Sequence, residues 1–409
     1  MKLQLSFPGN KKINKAIQIT GSKSETNRSL LLQALFPNIK IENLSNSDDG
    51  EVMQKGLKKS TGEVDIHHAG TAMRFLTAYF ASQEGKEIVL TGSKRMKERP
   101  IKVLVEALQE LGAEIKYENK EGYPPIKITG KKLEQNRVSL PANISSQYIS
   151  ALLLIAPSLE NGLELQLIGK ITSVPYIKMT LALLKQIGVD GTFAGNTIKV
   201  NPKNTVEDTT LIVESDWSSA SYFFSIVALS DIGTKIELSS YKERSLQGDS
   251  VLTEIYKDFG VETSFSDNQM VIAKTSECKL PNVNYDLSNA PDIAQTIAVC
   301  CLGLGIGCHL TGLHTLPIKE TDRLSALKKE LSKLGGEVAI DTESLTLEPC
   351  DKIISGTTID TYNDHRMGMA FGPLAIKTNL TVNDAGVVSK SYPDFWKDLE
   401  QLGFAAVEV

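Results

Sequence analysis

The chain has 409 residues, 41% of them hydrophobic and 23% charged, with a formal net charge of -5. That length exceeds what one compact core usually holds, so two domains are expected. The mild acidity argues against nucleic acid as the main partner, and any anionic ligand must be caught by a local cluster of Lys and Arg.

The opening MKLQLSFPGNKKINK lacks the apolar core of a signal peptide, so a cytoplasmic protein without membrane contact is expected. The stretch IQITGSKSETNRSLLLQAL, residues 17–35, reads as a β-branched strand, a turn and an apolar helix. Lys23 and Arg28 flank that helix start, where bare N–H groups and the positive end of the macrodipole favour an anion. Ser22 stands between Gly21 and Lys23, so this is not a Walker A loop. HHAGTAMRF (67–75) follows, with Gly70 where a ligand could approach the backbone closely and Arg74 on the next helix. His67 and His68 lack a third metal ligand nearby. KRMKERP (94–100) is a basic loop able to deliver an arginine onto an anion.

Further along, SSQYISALLLIA (145–156) and SSASYFFSIVAL (218–229) open apolar helices on polar phrases. NAPDIAQ (289–295) places Asp292 before another, as a helix cap or a general base. The run IAVCCLGLGIGCHL (297–310) is too short to cross a bilayer and reads as a buried helix. In IKETDRLSAL (318–327), Lys319 and Arg323 are spaced to share a helix face beside Glu320. YNDHRMGMAF (362–371) and SKSYPDFW (389–396) add His365, Arg366 and Lys390. The five cysteines have no zinc-type spacing and are expected as reduced, buried thiols.

Two periodicities run through these elements. Amphipathic helices ending in Gly recur, with Gly112, Gly188, Gly260, Gly335 and Gly403 separated by 76, 72, 75 and 68 residues. Apolar helices with polar openings recur between them, marked by Asn27, Thr71, Ser146, Ser219, Asp292 and Asp364 at steps of 44, 75, 73, 73 and 72. Six βαβ-type units, three per domain and the first shortened, account for both. Lys23, Arg28, Arg99, Lys319, Arg323, Arg366 and Lys390 are more cations than one phosphate needs. With no nucleophile elbow, Rossmann fingerprint or metal cluster, the pattern suggests transfer between two anionic small molecules by positioning and acid–base chemistry, without a cofactor.

The motifs GSKS…NR, AGTAMR, RMKERP, SSQ, KETDR and NDHRM, in this order, closely resemble those of the 5-enolpyruvylshikimate-3-phosphate synthases, also called 3-phosphoshikimate 1-carboxyvinyltransferases. The resemblance runs from GSKS to KSYPDFW. It implies an α/β, two-domain enolpyruvyl transferase fold, each domain three βαβαββ repeats with helices inside and sheets outside. One domain is expected over 22–214 and the other from 1–21 plus 215–409, with the active site in the cleft between them. The implied reaction moves the enolpyruvyl group of phosphoenolpyruvate to the 5-hydroxyl of shikimate 3-phosphate through a tetrahedral intermediate, in the pathway to chorismate and aromatic amino acids.

By motif, the resemblance assigns shikimate 3-phosphate to Lys23, Ser24, Arg28, Ser145, Ser146, Gln147, Ser173, Tyr176, Asp292, Thr315 and Lys319. It assigns phosphoenolpyruvate to Lys23, His68, Gly70, Arg99, Gln147, Arg323, His365, Arg366 and Lys390. Asp292 is the expected base, and Glu320 or Lys23 the donor to the methylene carbon. No metal or cofactor is implied, the partners are the two substrates, and a monomer is expected. The family inhibitor glyphosate shares the phosphoenolpyruvate site, and Gly70 matches the sensitive form. Three positions depart from the family pattern: His68 and Thr315 stand where Asn is usual, and Phe75 where Pro is usual. UDP-N-acetylglucosamine enolpyruvyl transferases, the nearest alternative, carry a reactive Cys in the basic loop, whereas no Cys precedes residue 278 here. A noncatalytic anion-binding scaffold is the alternative from another class; it would keep the cations but have no use for Asp292 and Glu320.

Overall fold

The computed structural model describes residues 1–142, 145–169, 171 and 174–409. The chain divides into two compact units, Gly21–Val213 and Met1–Thr20 joined with Glu214–Val409. Each contains three sheets among its described residues.

One pairing scheme recurs. In Gly21–Val213, the strand Thr61–Asp65 runs parallel to Glu87–Thr91, which pairs antiparallel with Ile126–Thr129, itself antiparallel to Glu114–Tyr117. The sheet built on Arg137–Pro141 and Leu163–Ile168 repeats the scheme with Thr197–Val200 and Gly191–Ala194. The third sheet is only Ile39–Glu42 beside Thr209–Ile212, which is the expected shortened repeat. In the other unit, Leu3–Ser6 sits between Leu380–Val382 and Ala405–Glu408. Asn14–Ile17 pairs with Lys235–Ser239, so the N-terminal segment completes two of that unit's three sheets.

Parallel pairs such as Thr61–Asp65 with Glu87–Thr91 and Arg137–Pro141 with Leu163–Ile168 need a crossover, and an apolar helix supplies it. Every residue of Gly70–Ala81 is buried, as is every residue of Trp217–Leu229 except Ser218. These helices are apolar all round because they form the core, whereas strands such as Arg137–Pro141 alternate exposed and buried residues and keep one face in water. Packing is close: a Cβ on Gly303 would lie 2.6 Å from Leu229 Cδ2. The five repeat-ending glycines all have positive φ, from 75° at Gly188 to 108° at Gly112; Gly112, Gly188, Gly335 and Gly403 directly follow helix ends, and Gly260 closes the turn after Leu252–Ile255.

Two elements differ from the sequence-based expectation. The apolar run 297–310 is not one helix: Ala294–Leu304 ends at Gly305, φ 77°, and Gly307–Thr311 continues as a strand. Leu252–Ile255 is a single short turn of α-helix rather than a full amphipathic helix. All five cysteines are free, with Cys300, Cys301 and Cys308 buried. Among the described residues no helix is long and apolar enough to cross a membrane.

Candidate functional site

The predicted residues gather into one group in each unit. In Gly21–Val213, the helix Lys23–Leu35 starts directly after GS, and its first side chain forms an ion pair with buried Asp49 (Lys23 Nζ to Asp49 Oδ2, 3.4 Å). One turn on, Arg28 is 2% exposed. Its Nε donates to Thr180 Oγ1 (2.8 Å), Nη1 to the Ser24 carbonyl (2.7 Å) and Nη2 to Ser150 Oγ (2.9 Å). The guanidinium lies 5.3 Å from the Phe75 ring centroid and 5.8 Å from that of Tyr176. Phe75 thus forms one wall of this cation's socket, and burial draws the Arg28 pKa down to about 10. Arg28 braces three helices of its own unit, a role its place in the motif does not reveal.

Gly70 opens the next core helix, and Arg99 lies directly over it: a Cβ on Gly70 would be 2.6 Å from Arg99 Nη1. Arg74 holds that approach in place, donating from Nη1 to the Gly70 carbonyl (3.2 Å) and from Nη2 to the Pro100 carbonyl (3.0 Å). Tyr148 also donates to the Pro100 carbonyl (2.6 Å), so the basic loop is pinned at its end. Ser145 caps the helix Ser146–Ile155 by accepting from Gln147 N–H, and the Gln147 amide reaches Thr71 Oγ1 at 3.2 Å. Gln147, Thr71, Gly70 and Arg99 therefore form one continuous group. His68 is exposed two residues before Gly70. Ser173 lies outside the described residues.

In the other unit, four cations meet three carboxylates. Arg323, 1% exposed, is central. It binds Asp364 through Nε (2.7 Å) and Nη2 (3.3 Å), Asp292 Oδ1 through Nη1 (2.9 Å) and Glu320 Oε2 through Nη2 (2.9 Å). Lys390 Nζ holds the other Glu320 oxygen at 2.7 Å. Lys319 Nζ is 3.5 Å from Asp292 Oδ1, and Arg366 Nη2 is 3.1 Å from Asp292 Oδ2. His365 is buried, its Nδ1 3.9 Å from Asp364.

Local structure explains the convergence. Asp364 caps the helix His365–Phe371 by accepting from Arg366 N–H and grips Arg323 with the same carboxylate. Asp322 caps the helix Arg323–Lys333 through Ser325 N–H, so that helix begins at Arg323 and Lys319 stays in extended backbone before it. Lys319 and Arg323 hence do not share a helical face as their spacing suggested; they meet at Asp292 instead. Asp292 sits in the turn Pro291–Ile293 and makes no side-chain cap. Burial pushes its pKa up, but Arg366, Lys319 and Arg323 outweigh burial and hold it well below the ordinary carboxylate range. Burial lowers the Lys319 pKa more than Asp292 raises it. The Thr315 hydroxyl, four residues before Lys319, is buried and has no hydrogen-bond partner among the described residues.

Sequence reasoning missed Asp364 as the anchor of Arg323, Arg74 as the anchor of the Arg99 loop, and Asp249, which lies behind Arg366 through Ser218. A cap motif signals Asp364; nothing local signals Asp249.

A family model described as EPSP synthase (3-phosphoshikimate 1-carboxyvinyltransferase) matches residues 57–399. A 3-phosphoshikimate 1-carboxyvinyltransferase of Bacteroides fragilis is 43% identical over 409 residues, covering 99% of this chain and 98% of that one. The protein of the same name from Colwellia psychrerythraea is 37% identical, covering 96% and 97%. Among solved structures, EPSP synthase from Acinetobacter baumannii matches with a TM-score of 0.80 at 21% identity over 100% of both chains. The enolpyruvyl transferase NikO from Streptomyces tendae matches with a TM-score of 0.75 at 15% identity, covering 100% of this chain and 99% of that one. Full-length identity, a family match across most of the chain and a shared fold agree: the chain belongs to the EPSP synthase, or 3-phosphoshikimate 1-carboxyvinyltransferase, family.

Proposed function

We infer that this protein transfers the enolpyruvyl group of phosphoenolpyruvate to the 5-hydroxyl of shikimate 3-phosphate, releasing phosphate. The observation that carries the reading is the group of buried Arg323, Arg366 and Lys390, with partly buried Lys319, around Asp292 and Glu320. Buried cations at this density suit polyanionic ligands, and the carboxylates among them supply proton transfer.

The reaction adds the 5-hydroxyl to C2 of phosphoenolpyruvate as C3 gains a proton, then expels phosphate as C3 loses one. Asp292 takes the hydroxyl proton. In the ligand-free protein, three cations hold this carboxylate too acidic to be an effective base. Arriving anions offset the positive charge of Arg366 and Lys319, and Asp292 regains basicity when its acceptor is in place. Glu320, bridging Arg323 and Lys390, or Lys23 exchanges the proton at C3.

Phosphoenolpyruvate is assigned to Gly70, Arg99, Gln147, Arg323, Arg366 and Lys390, with His68 and His365 nearby in the chain. Shikimate 3-phosphate is assigned to Lys23, Ser24, Ser145, Ser146, Gln147, Ser173, Tyr176, Asp292, Thr315 and Lys319. Arg28 is assigned to shikimate 3-phosphate as well, and it also braces Ser24, Ser150 and Thr180. The partnerless Thr315 hydroxyl supports a hydrogen bond to a ligand there.

The test is phosphate release with both substrates, with each omitted in turn, and with UDP-N-acetylglucosamine in place of shikimate 3-phosphate. Release only with phosphoenolpyruvate and shikimate 3-phosphate together is expected. Release with the nucleotide sugar, or with neither acceptor, contradicts the reading.

A further inference from the structure

Behind Arg366, reached through Ser218, lies a buried carboxylate that the reaction does not use. Asp249 is 4% exposed and sits in the turn Gly248–Val251. Its Oδ2 accepts from the Ser218 hydroxyl, and its Oδ1 is buried without a hydrogen bond. Ser218 is the one residue of the helix Trp217–Leu229 that is not buried, and its Oγ accepts from Arg366 Nη2 at 3.2 Å. The same Nη2 reaches Asp292 Oδ2 at 3.1 Å, while Nη1 donates to the Asp292 carbonyl at 3.3 Å. Gln247 fastens the turn to the helix, accepting from Trp217 N–H (3.0 Å) and donating to the Ser215 carbonyl (2.9 Å).

A serine hydroxyl has one proton to give. Because Asp249 takes it, Ser218 must present a lone pair to Arg366. We propose that Asp249 and Ser218 are positioning residues for Arg366: the carboxylate fixes the direction of the Ser218 hydroxyl, and the hydroxyl holds the guanidinium between itself and Asp292 in the orientation that receives phosphoenolpyruvate. This rests on the assignment of Arg366 to that substrate. Asn at position 249 keeps the shape but can donate to Ser218 Oγ, which frees the hydroxyl proton to turn toward Arg366, where it repels. Ala at 218 removes the lone pair without touching the carboxylate.

The experiment is steady-state phosphate release by full-length Asp249→Asn, Ser218→Ala, Arg366→Ala and the Asp249→Asn/Arg366→Ala double variant, each first checked by thermal melting. A hydrogen bond to a charged group sets the scale, so Asp249→Asn and Ser218→Ala should each raise the KM for phosphoenolpyruvate about tenfold. The KM for shikimate 3-phosphate should stay within about twofold. In the Arg366→Ala background, Asp249→Asn should add nothing, because its only route to the substrate is gone. An unchanged phosphoenolpyruvate KM in both single variants overturns the proposal while leaving the reaction assignment intact. So does an Asp249→Asn effect that multiplies fully with Arg366→Ala. If Arg366→Ala itself leaves that KM unchanged, the assignment of Arg366 falls, and the proposal with it.

Discussion

Replacing Gly70 with Ala separates binding from folding. Gly70 is not among the residues with positive φ, so its backbone accepts a side chain without strain, and Ala favours the helix it opens. The three atoms nearest the new methyl all belong to the far end of Arg99: Nη1 at 2.6 Å, and Cζ and Nη2 at 3.2 Å. An ordinary contact begins near 3.4 Å, so the guanidinium must retreat by about 1 Å. Arg99 is only half-buried, so the shift costs little in the free protein. On the proposed assignment of Arg99 to phosphoenolpyruvate, it lengthens a charge-assisted hydrogen bond in the complex, whose loss is worth about 1.5–3 kcal/mol. The KM for phosphoenolpyruvate should therefore rise about 10- to 100-fold, while the KM for shikimate 3-phosphate and the melting temperature hold. The assay is initial-rate phosphate release with each substrate varied in turn. A phosphoenolpyruvate KM within about twofold of the parent would refute the claim that Arg99 works from its place over Gly70.

Three further outcomes are expected. Arg323→Ala leaves Asp292, Glu320 and Asp364 without their shared cation and should cost about 3–5 kcal/mol in denaturant unfolding; Arg323→Lys should restore little, since a single ammonium cannot reproduce the two-point grip on Asp364. Arg28→Lys should destabilise its unit by about 1–3 kcal/mol, because Thr180, Ser150 and the Ser24 carbonyl are spaced for a guanidinium; a melting temperature unchanged from the parent would contradict this. Burial pushes Asp249 from 3.8 up to about 6, with Asp292 adding to the rise. A carboxyl whose folded pKa is raised binds its proton more tightly when folded, so stability falls as pH rises from about 4 to about 6 and stays lower above. Asp249→Asn should thus be more stable than the parent at pH 8, by up to about 3 kcal/mol, with the gain fading near pH 4. Denaturant melts at both pH values decide it.

Much of the fold was legible because its signals are local. The glycines ending each repeat were readable from Gly112 to Gly403, since only a helix stop needs a left-handed residue at that spacing. The truncated first repeat showed in the short step from Asn27 to Thr71, and the structure gives it a two-stranded sheet. The cations of GSKS, KETDR and NDHR were also readable as a set. Their partners were not. Asp292 resembled a helix cap, and only the chain's return at 319–323 and 366 turns it into the meeting point of three cations. Arg28 was readable as a ligand residue, but its hydrogen bonds to Thr180 and Ser150, remote in sequence, were not. The 297–310 run misled because periodicity cannot separate a buried helix from a helix followed by a buried strand. Asp249 gave no signal at all, since its significance lies in Ser218 and Arg366.

The most direct test of the account is Asp292→Asn, assayed for turnover and, by calorimetry, for binding of each substrate. The substitution keeps the side-chain shape and removes the proton acceptor from among Arg323, Arg366 and Lys319. Turnover should fall by at least about a hundredfold while both substrates still bind. Turnover within about twofold of the parent would contradict a carboxylate acting as base within this buried cationic group.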